Sequence, residues 1–218
     1  MPPNTSVRPE NYSASDFANE HNVSRETFQS FEQWHALLLK WNRKINLVSN
    51  AALASYWRRH ALDSWQITSL LRDTDSNILD LGSGAGFPGI AHAIFLKTEN
   101  RTGQVTLVES AGKKANFLRT VIRELKLPAT IWADRAENLP PMPYDVISAR
   151  AFAPLPELLT YAQPFWGRDT QALFLKGEAA AEELTAAEKS WTYNVETRQS
   201  LSDEGGQVLT LTGLRAKP

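Results

Sequence analysis

An acid followed by alternating glycines is the segment of this chain best placed to do chemistry: Asp80-Leu81-Gly82-Ser83-Gly84-Ala85-Gly86-Phe87-Pro88-Gly89. Glycine lets a backbone turn tightly and approach a ligand closely. At the carboxyl end of the first strand of a parallel sheet, such a turn sits where these sheets bind ligands. Pro88 fits the first turn of a following helix, where its missing N–H costs nothing. That helix start would offer N–H groups to an anion such as the carboxylate of a methionine moiety. A phosphate-binding P-loop needs Lys-Ser/Thr after its last glycine; Gly89 is followed by Ile90-Ala91, which excludes it. Two adenine-nucleoside cofactors remain. The stretch from Gly84 to Gly89 fits the dinucleotide fingerprint Gly-x-Gly-x-x-Gly. S-adenosylmethionine fits Asp80 ahead of glycines stacked at 82, 84 and 86. Glu109, at the end of a second strand, can accept two hydrogen bonds from ribose hydroxyls and serves either cofactor. The bland alternative, a turn that binds nothing, has to set aside the agreement of loop, strand context and second acid.

The elements that must hold these residues follow from the apolar pattern. Phe28, Phe31, Trp34, Leu38 and Trp41 share one helix face over Ser24–Trp41, with Ser24 as N-cap. A second helical stretch is expected over Ala51–Leu71, and Asp73–Asn77 is a polar connector. Strands are expected at Ile78–Leu81, Val105–Glu109, Thr130–Ala133, Asp145–Ser148, Ala172–Lys176, Asn194–Thr197 and Val208–Thr212. Helices are expected from Pro88, over Lys113–Lys126, over Leu155–Phe165 and over Glu178–Lys189. Strands alternating with helices predict an α/β, Rossmann-like fold, and the S-adenosylmethionine reading of the glycine loop makes it one of the class I methyltransferase type. Its seven-stranded sheet is mostly parallel. The turn at Asp203–Gly206 is too short for a helical crossover, so the C-terminal strand should be antiparallel. The expected organisation is a flexible tail over 1–20, a helical extension over 21–75 and a cofactor-binding domain over 76–218. Trp34, Trp41, Trp57 and Trp65 read as core at helical spacing rather than as a stacking platform.

Composition narrows the classes. The chain has 218 residues, a formal net charge of −1 and no cysteine. Disulfides, thiol nucleophiles and Cys-ligated metal are excluded, and no histidine spacing makes a metal site. Bulk charge does not point to a polyanion, so nucleic-acid binding would have to come from local clusters. Arg58 and Arg59, then Lys113, Lys114, Arg119, Arg123 and Lys126 along one helix, and Lys176 after the fifth strand form such clusters. Alone, a basic helix face reads as solvated surface. The first residues, Met1–Phe17, lack the basic-then-apolar order of a signal peptide, and no apolar stretch spans a bilayer. A cytoplasmic protein, monomeric and without a membrane partner, is expected.

Several segments resemble a known family. They are Trp41-Asn42-Arg43-Lys44-Ile45-Asn46-Leu47, Arg59-His60-Ala61-Leu62-Asp63-Ser64, and the loop from Leu79 through Gly-Phe-Pro-Gly to Ile90. With them go Glu109-Ser110 with Lys113-Lys114, Arg135-Ala136-Glu137, Ser148-Ala149-Arg150-Ala151-Phe152-Ala153 and Leu175-Lys176-Gly177. Over Trp41–Gly177 the chain resembles RsmG, or GidB, the bacterial methyltransferases of guanine N7 in 16S ribosomal RNA. It departs from the pattern at Gln207, where the family usually has arginine or lysine near the last strand.

The resemblance implies S-adenosylmethionine as cofactor and the small ribosomal subunit or its 16S rRNA, in the 530-loop region, as partner. It implies that Gly82, Ser83, Gly84, Gly86 and Phe87 line the methionine end, and Glu109 the ribose. Ala136 and Glu137 would meet the adenine, and Arg150 would face both cofactor and target base. It also turns Arg58, Arg59, Lys113, Lys114, Arg119 and Lys176 into expected RNA contacts, holding phosphates without reading sequence. Guanine N7 carries a free lone pair, so no general base is expected and catalysis is positional. Consistently, Ser148-Ala149-Arg150-Ala151 lacks the Asn/Asp-Pro-Pro-aromatic motif of amino-group methyltransferases. Against these stand blander readings: Arg150 as a strand-end ion pair, and His60 with Asp63 as a pair fixing the N-terminal helix to the domain. A methyltransferase with another acceptor, an NAD-dependent oxidoreductase and a non-catalytic cofactor-fold module stay open at this point.

Overall fold

The computed structural model describes residues 12–218. Ser24 caps α2 (Arg25–Asn42), its hydroxyl accepting from the Thr27 N–H at 3.0 Å. The helix buries Phe31, Trp34 and Leu38 on one face. Ahead of it, Ser13 and Asp16 close a capping box on α1 (Ala14–Glu20). Phe17 of α1 is fully buried against Phe31, Trp57 and Trp65. This corrects the expected flexible tail over its described part: a polar composition hid two buried aromatics, Tyr12 and Phe17, and a self-capping turn. Residues 1–11 of that expectation lie outside the described residues.

The stretch expected as one helix over Ala51–Leu71 is broken. It divides into α3 (Asn50–Ala54), a π-helical turn over Trp57–Leu62, α4 (Asp63–Trp65) and a 3₁₀ turn over Thr68–Leu70. Single π turns are frequent at functional sites, and this one carries Arg58, Arg59 and His60.

The strands are β1 (Asn77–Leu81), β2 (Gln104–Val108), β3 (Ala129–Trp132), β4 (Tyr144–Arg150), β5 (Trp166–Lys176), β6 (Trp191–Gln199) and β7 (Gln207–Ala216). They form one sheet in the order β3-β2-β1-β4-β5-β7-β6. The neighbouring pairs among β1–β5 are parallel, and β7 is antiparallel to both β5 and β6. That is the expected seven-stranded sheet with its reversed last strand. It also departs from the all-parallel order of dinucleotide-binding folds. Helices α5 (Gly89–Thr98), α6 (Gly112–Leu125), α7 (Leu155–Ala162) and α8 (Ala180–Ala187) complete the connections.

Alternation along the strands divides the core in two. Ile78, Val105, Leu107, Val146 and Leu173 face α5, α6 and the N-terminal helices. Leu79, Leu81, Ile147, Ala172 and Phe174 face α7 and α8. Phe17, Trp34, Leu38 and Leu62 belong to the first of these cores together with the sheet residues. The helices over 21–75 thus pack into the core of the sheet rather than closing one of their own. Trp34 is fully buried and lies 4.5 Å from the Phe87 ring, so it is core, and it props the glycine loop from behind.

Candidate active site

The glycine loop leaves β1 at the carboxyl edge of the sheet. Asp80 is fully buried below it and ties it down. Its Oδ2 accepts the Gly89 N–H at 3.2 Å and its Oδ1 the Ser148 hydroxyl at 3.0 Å. Burial pushes the Asp80 carboxyl up to about 6, against the opposing hydrogen bonds from Ser83, Ser148 and Gly89. Gly82 and Gly84 both adopt left-handed backbone, φ +68 and +58. A side chain at Gly82 would collide with the Phe152 ring, whereas at Gly84 it would meet only the Gly82 carbonyl, at 3.8 Å.

A cleft of about 410 Å³ opens above this loop. Gly82, Ser83, Gly84, Phe87, Glu109, Ala136, Glu137 and Arg150 all line it, and so does Lys114. Glu109 is buried at its wall. One carboxylate oxygen accepts the Gly84 N–H at 2.9 Å and the other the Ala111 N–H at 2.7 Å. Each oxygen still has acceptor capacity. Glu109 therefore braces the glycine loop from the neighbouring strand while remaining able to take hydroxyl donors.

Two expectations for the loop are corrected. Gly86 does not line the cleft. Its N–H donates to the Ser83 carbonyl at 2.7 Å, and a side chain there would strike Ile90, so it shapes the turn from below. Nor does α5 offer free N–H groups to an anion. The Gly89 N–H goes to Asp80, that of Ile90 to the Gly86 carbonyl and that of Ala91 to the Pro88 carbonyl.

Arg150 ends β4 and joins three segments. Its Nη1 donates to the Arg59 carbonyl at 2.9 Å and to Asp63 Oδ2 at 3.0 Å. Its Nη2 lies 3.0 Å from His60 Nδ1, and its guanidinium carbon 4.7 Å from the centre of the Phe87 ring. A guanidinium only donates, so His60 Nδ1 accepts. The His60 ring stacks on Phe87 at 4.4 Å. Burial first, and then the charge of Arg150, hold His60 down to about 3, hence neutral. Asp63 Oδ1 accepts the Ser202 hydroxyl at 2.5 Å, and Arg58 Nε donates to the Ser202 carbonyl at 2.9 Å. The π turn, the end of β4 and the β6–β7 loop are thereby knotted together beside the cleft. The ion-pair reading of Arg150 and its place in the cleft are both realised.

Comparison with known proteins places this arrangement. Residues 27–212 match the family GidB, described as rRNA small subunit methyltransferase G. A protein of Cereibacter sphaeroides named ribosomal RNA small subunit methyltransferase G is 46% identical over 192 residues, 88% of this chain and 93% of its own. The protein of the same name from Parvibaculum lavamentivorans is 44% identical, over 94% of this chain and 92% of its own. This chain belongs to the GidB family. Among solved structures, the ribosomal protein L11 methylase of Lactobacillus delbrueckii subsp. bulgaricus superposes with a TM-score of 0.55 at 14% identity, over 68% of this chain and 75% of that one. M. jannaschii TYW2 in complex with AdoMet gives 0.54 at 14% identity, over 80% of each chain. At that identity the likeness is one of fold: the class I methyltransferase sheet.

Within the GidB frame, the expected RNA contacts divide. Arg59, Lys113 and Arg119 are exposed, and Lys114 is half-buried at the cleft. Arg58 is half-buried and engaged with the Ser202 carbonyl. Lys176 is corrected as a rim cation. Its side chain is only 9% exposed and sits 2.5 Å from Glu183 Oε2 and 2.9 Å from the Ala153 carbonyl. Phe152, Tyr161, Leu47 and Val48 also line the cleft and went unpicked in the sequence. A signal for the last two lay in the Trp-Asn-Arg-Lys segment. Asn42 Oδ1 accepts the Leu47 and Val48 N–H groups, and its amide donates to the Val48 carbonyl, fixing that loop at the cleft.

Proposed function

We infer that this chain transfers a methyl group from S-adenosylmethionine to N7 of a guanine in 16S ribosomal RNA. One observation carries the reading: in a chain of the GidB family, every expected cofactor residue except Gly86 lines a single cleft at the carboxyl edge of the sheet. The residues present fit the cofactor. Gly84 leaves open space where a side chain would stand, and Glu109 retains acceptor capacity at the wall. Glu109 would accept the ribose hydroxyls, the turn at Ala136–Glu137 would border the adenine, and Gly82 with Phe87 would hold the methionine end. When bound, S-adenosylmethionine supplies a methyl group on a sulfonium, a good leaving group.

The protein's own part is positional. Arg150 is fixed by three acceptors and an aromatic face, so it presents charge without searching for a conformation. His60 is neutral, with Nδ1 occupied by Arg150, and Asp80 is sealed below the loop; neither is a base for the acceptor. N7 needs none, because its lone pair is free. The rate with saturating substrates should therefore be flat through neutral pH, and a profile governed by one essential side-chain base would contradict this. Arg59, Lys113, Lys114 and Arg119 would hold phosphates, and we expect the protein to act as a monomer in the cytoplasm. Among the described residues, no helix is long and apolar enough to cross a membrane.

The test incubates the protein and labelled S-adenosylmethionine with undermethylated small ribosomal subunits and, separately, with their naked RNA. Label recovered as 7-methylguanosine supports the reading. Intact cofactor binding with no label in either substrate sinks it.

A further inference from the structure

A second hollow of about 400 Å³ adjoins the cofactor cleft, and the two share Arg150, Ala151 and Phe152 as a common wall. Ala151 in that wall holds φ +50, a conformation uncommon for a residue with a side chain and concentrated at functional sites. On the side belonging to the second hollow alone stand Lys176 and Glu183. Their ion pair is enclosed, with side chains 9% and 22% exposed. A pair so enclosed adds little net stability, because desolvation offsets the attraction.

The bonding of the pair is lopsided. Glu183 Oε2 takes both internal contacts, the ion pair with Lys176 Nζ at 2.5 Å and the Leu155 N–H at 2.6 Å. Oε1 has no partner among the described residues. The ammonium has three N–H donors; the Ala153 carbonyl takes one, and the ion pair with Glu183 engages the charge. A free acceptor and donor capacity on the ammonium are left side by side.

We propose that this hollow receives the acceptor base and that Lys176 and Glu183 read it as guanine. The inference rests on the methyl-transfer reading above. Guanine presents O6, an acceptor, beside N1–H and the N2 amino group, both donors. Adenine presents an amino donor at position 6 beside an acceptor at N1, the reverse order. With N7 turned to the shared wall, the Watson–Crick edge of a guanine points away from the cofactor cleft. There Lys176 would donate to O6 and Glu183 Oε1 would accept from N1–H or the N2 amino group, while adenine would set donor against donor. Phe152, in the shared wall, offers a face on which a base taken out of its stack can rest.

Glu183→Gln is the discriminating change. Its amide oxygen can keep the Leu155 bond and the contact with Lys176, while its amino group replaces the free acceptor with a donor. We expect a folded protein with a lowered melting temperature, since Lys176 loses its counter-charge, cofactor affinity within about twofold by calorimetry, and kcat/KM for undermethylated subunits lower by about 10- to 100-fold. Lys176→Met removes the O6 donor and keeps the Leu155–Glu183 bond; it should lose transfer to a similar extent at unchanged cofactor affinity. Either folded variant labelling subunits within about twofold of wild type overturns the proposal. So does a loss of cofactor affinity that matches the loss of transfer, which would mark the pair as scaffolding. Wild-type protein that leaves subunits unlabelled removes the methylation reading itself, an outcome distinct from any difference between variants.

Discussion

Burial acts in opposite senses on Asp80 and His92. Asp80, with its carboxyl raised to about 6, folds more readily protonated: its contribution is full below the ordinary carboxylate range and is lost as pH rises through about 6. His92 and His60 are held by burial down to about 3, so the unfolded chain binds their protons first. Their contribution is present above the ordinary histidine value of about 6.5 and is lost as pH falls toward about 3. Two histidines outweigh one carboxyl, and acidification below about 6.5 should destabilise the protein. Both His92 ring nitrogens are buried without partners. His92→Leu should therefore remove about 1.4 kcal/mol per pH unit of that acid sensitivity, read from urea denaturation at pH 5.5 and 8; an unchanged slope would assign it elsewhere. Arg150 gives a second prediction. A lysine cannot span the Arg59 carbonyl, Asp63 and His60 while lying on Phe87. Arg150→Lys should cost about 1–2 kcal/mol in stability and lower methyl transfer at saturating cofactor by more than that loss explains; transfer at the wild-type rate would show the fork to be dispensable.

At the scale of elements, α1 is the sharpest departure from its sequence. Phe17 is fully buried, and Phe17→Ala should cost about 3–5 kcal/mol, measured by denaturation; a loss below about 1 kcal/mol would mean that α1 is not part of the cooperative fold. What could be read beforehand had a periodic signature. The alternation of strands and helices, α2 with its Ser24 cap, the apolar face of α6 and the reversed last strand all follow from spacing and turn length, whereas the order of strands in the sheet does not. The wall of the cleft was legible where backbone geometry demanded glycine, at Gly82 and Gly84, and where an acid closed a strand, at Glu109. What spacing cannot show is pairing across the chain. Nothing local distinguishes Lys176, which turns inward to Glu183, from Lys113, which stays exposed. Tyr12 and Phe17 are two aromatics in a polar stretch, too few for a period. The π turn has no pattern of its own in the residues from Ala51 to Leu71, and it makes sense only beside Arg150, 91 residues away from the Arg59 whose carbonyl it bonds.

Across the whole molecule, a net charge of −1 is spread around a local basic surface. Phosphate contacts release counterions, so binding of the small subunit or its RNA should weaken with salt. Lys113→Gln with Arg119→Gln should lower the slope of log affinity against log salt by about 2, measured by titration at several salt concentrations; an unchanged slope would place the phosphates elsewhere. The sheet order bears on how the chain is made. β7 lies between β5 and β6, and among the described residues β6 has no other partner strand. During synthesis β5 must wait with an unpaired edge, and β6 with no sheet to join, until β7 has emerged. The Ser202 hydroxyl that steadies Asp63, and through it Arg150, lies in the loop just before β7. A nascent chain thus gains its last sheet contacts and the Ser202 brace together, so the network that steadies Arg150 beside the cleft closes only as β7 slots between β5 and β6.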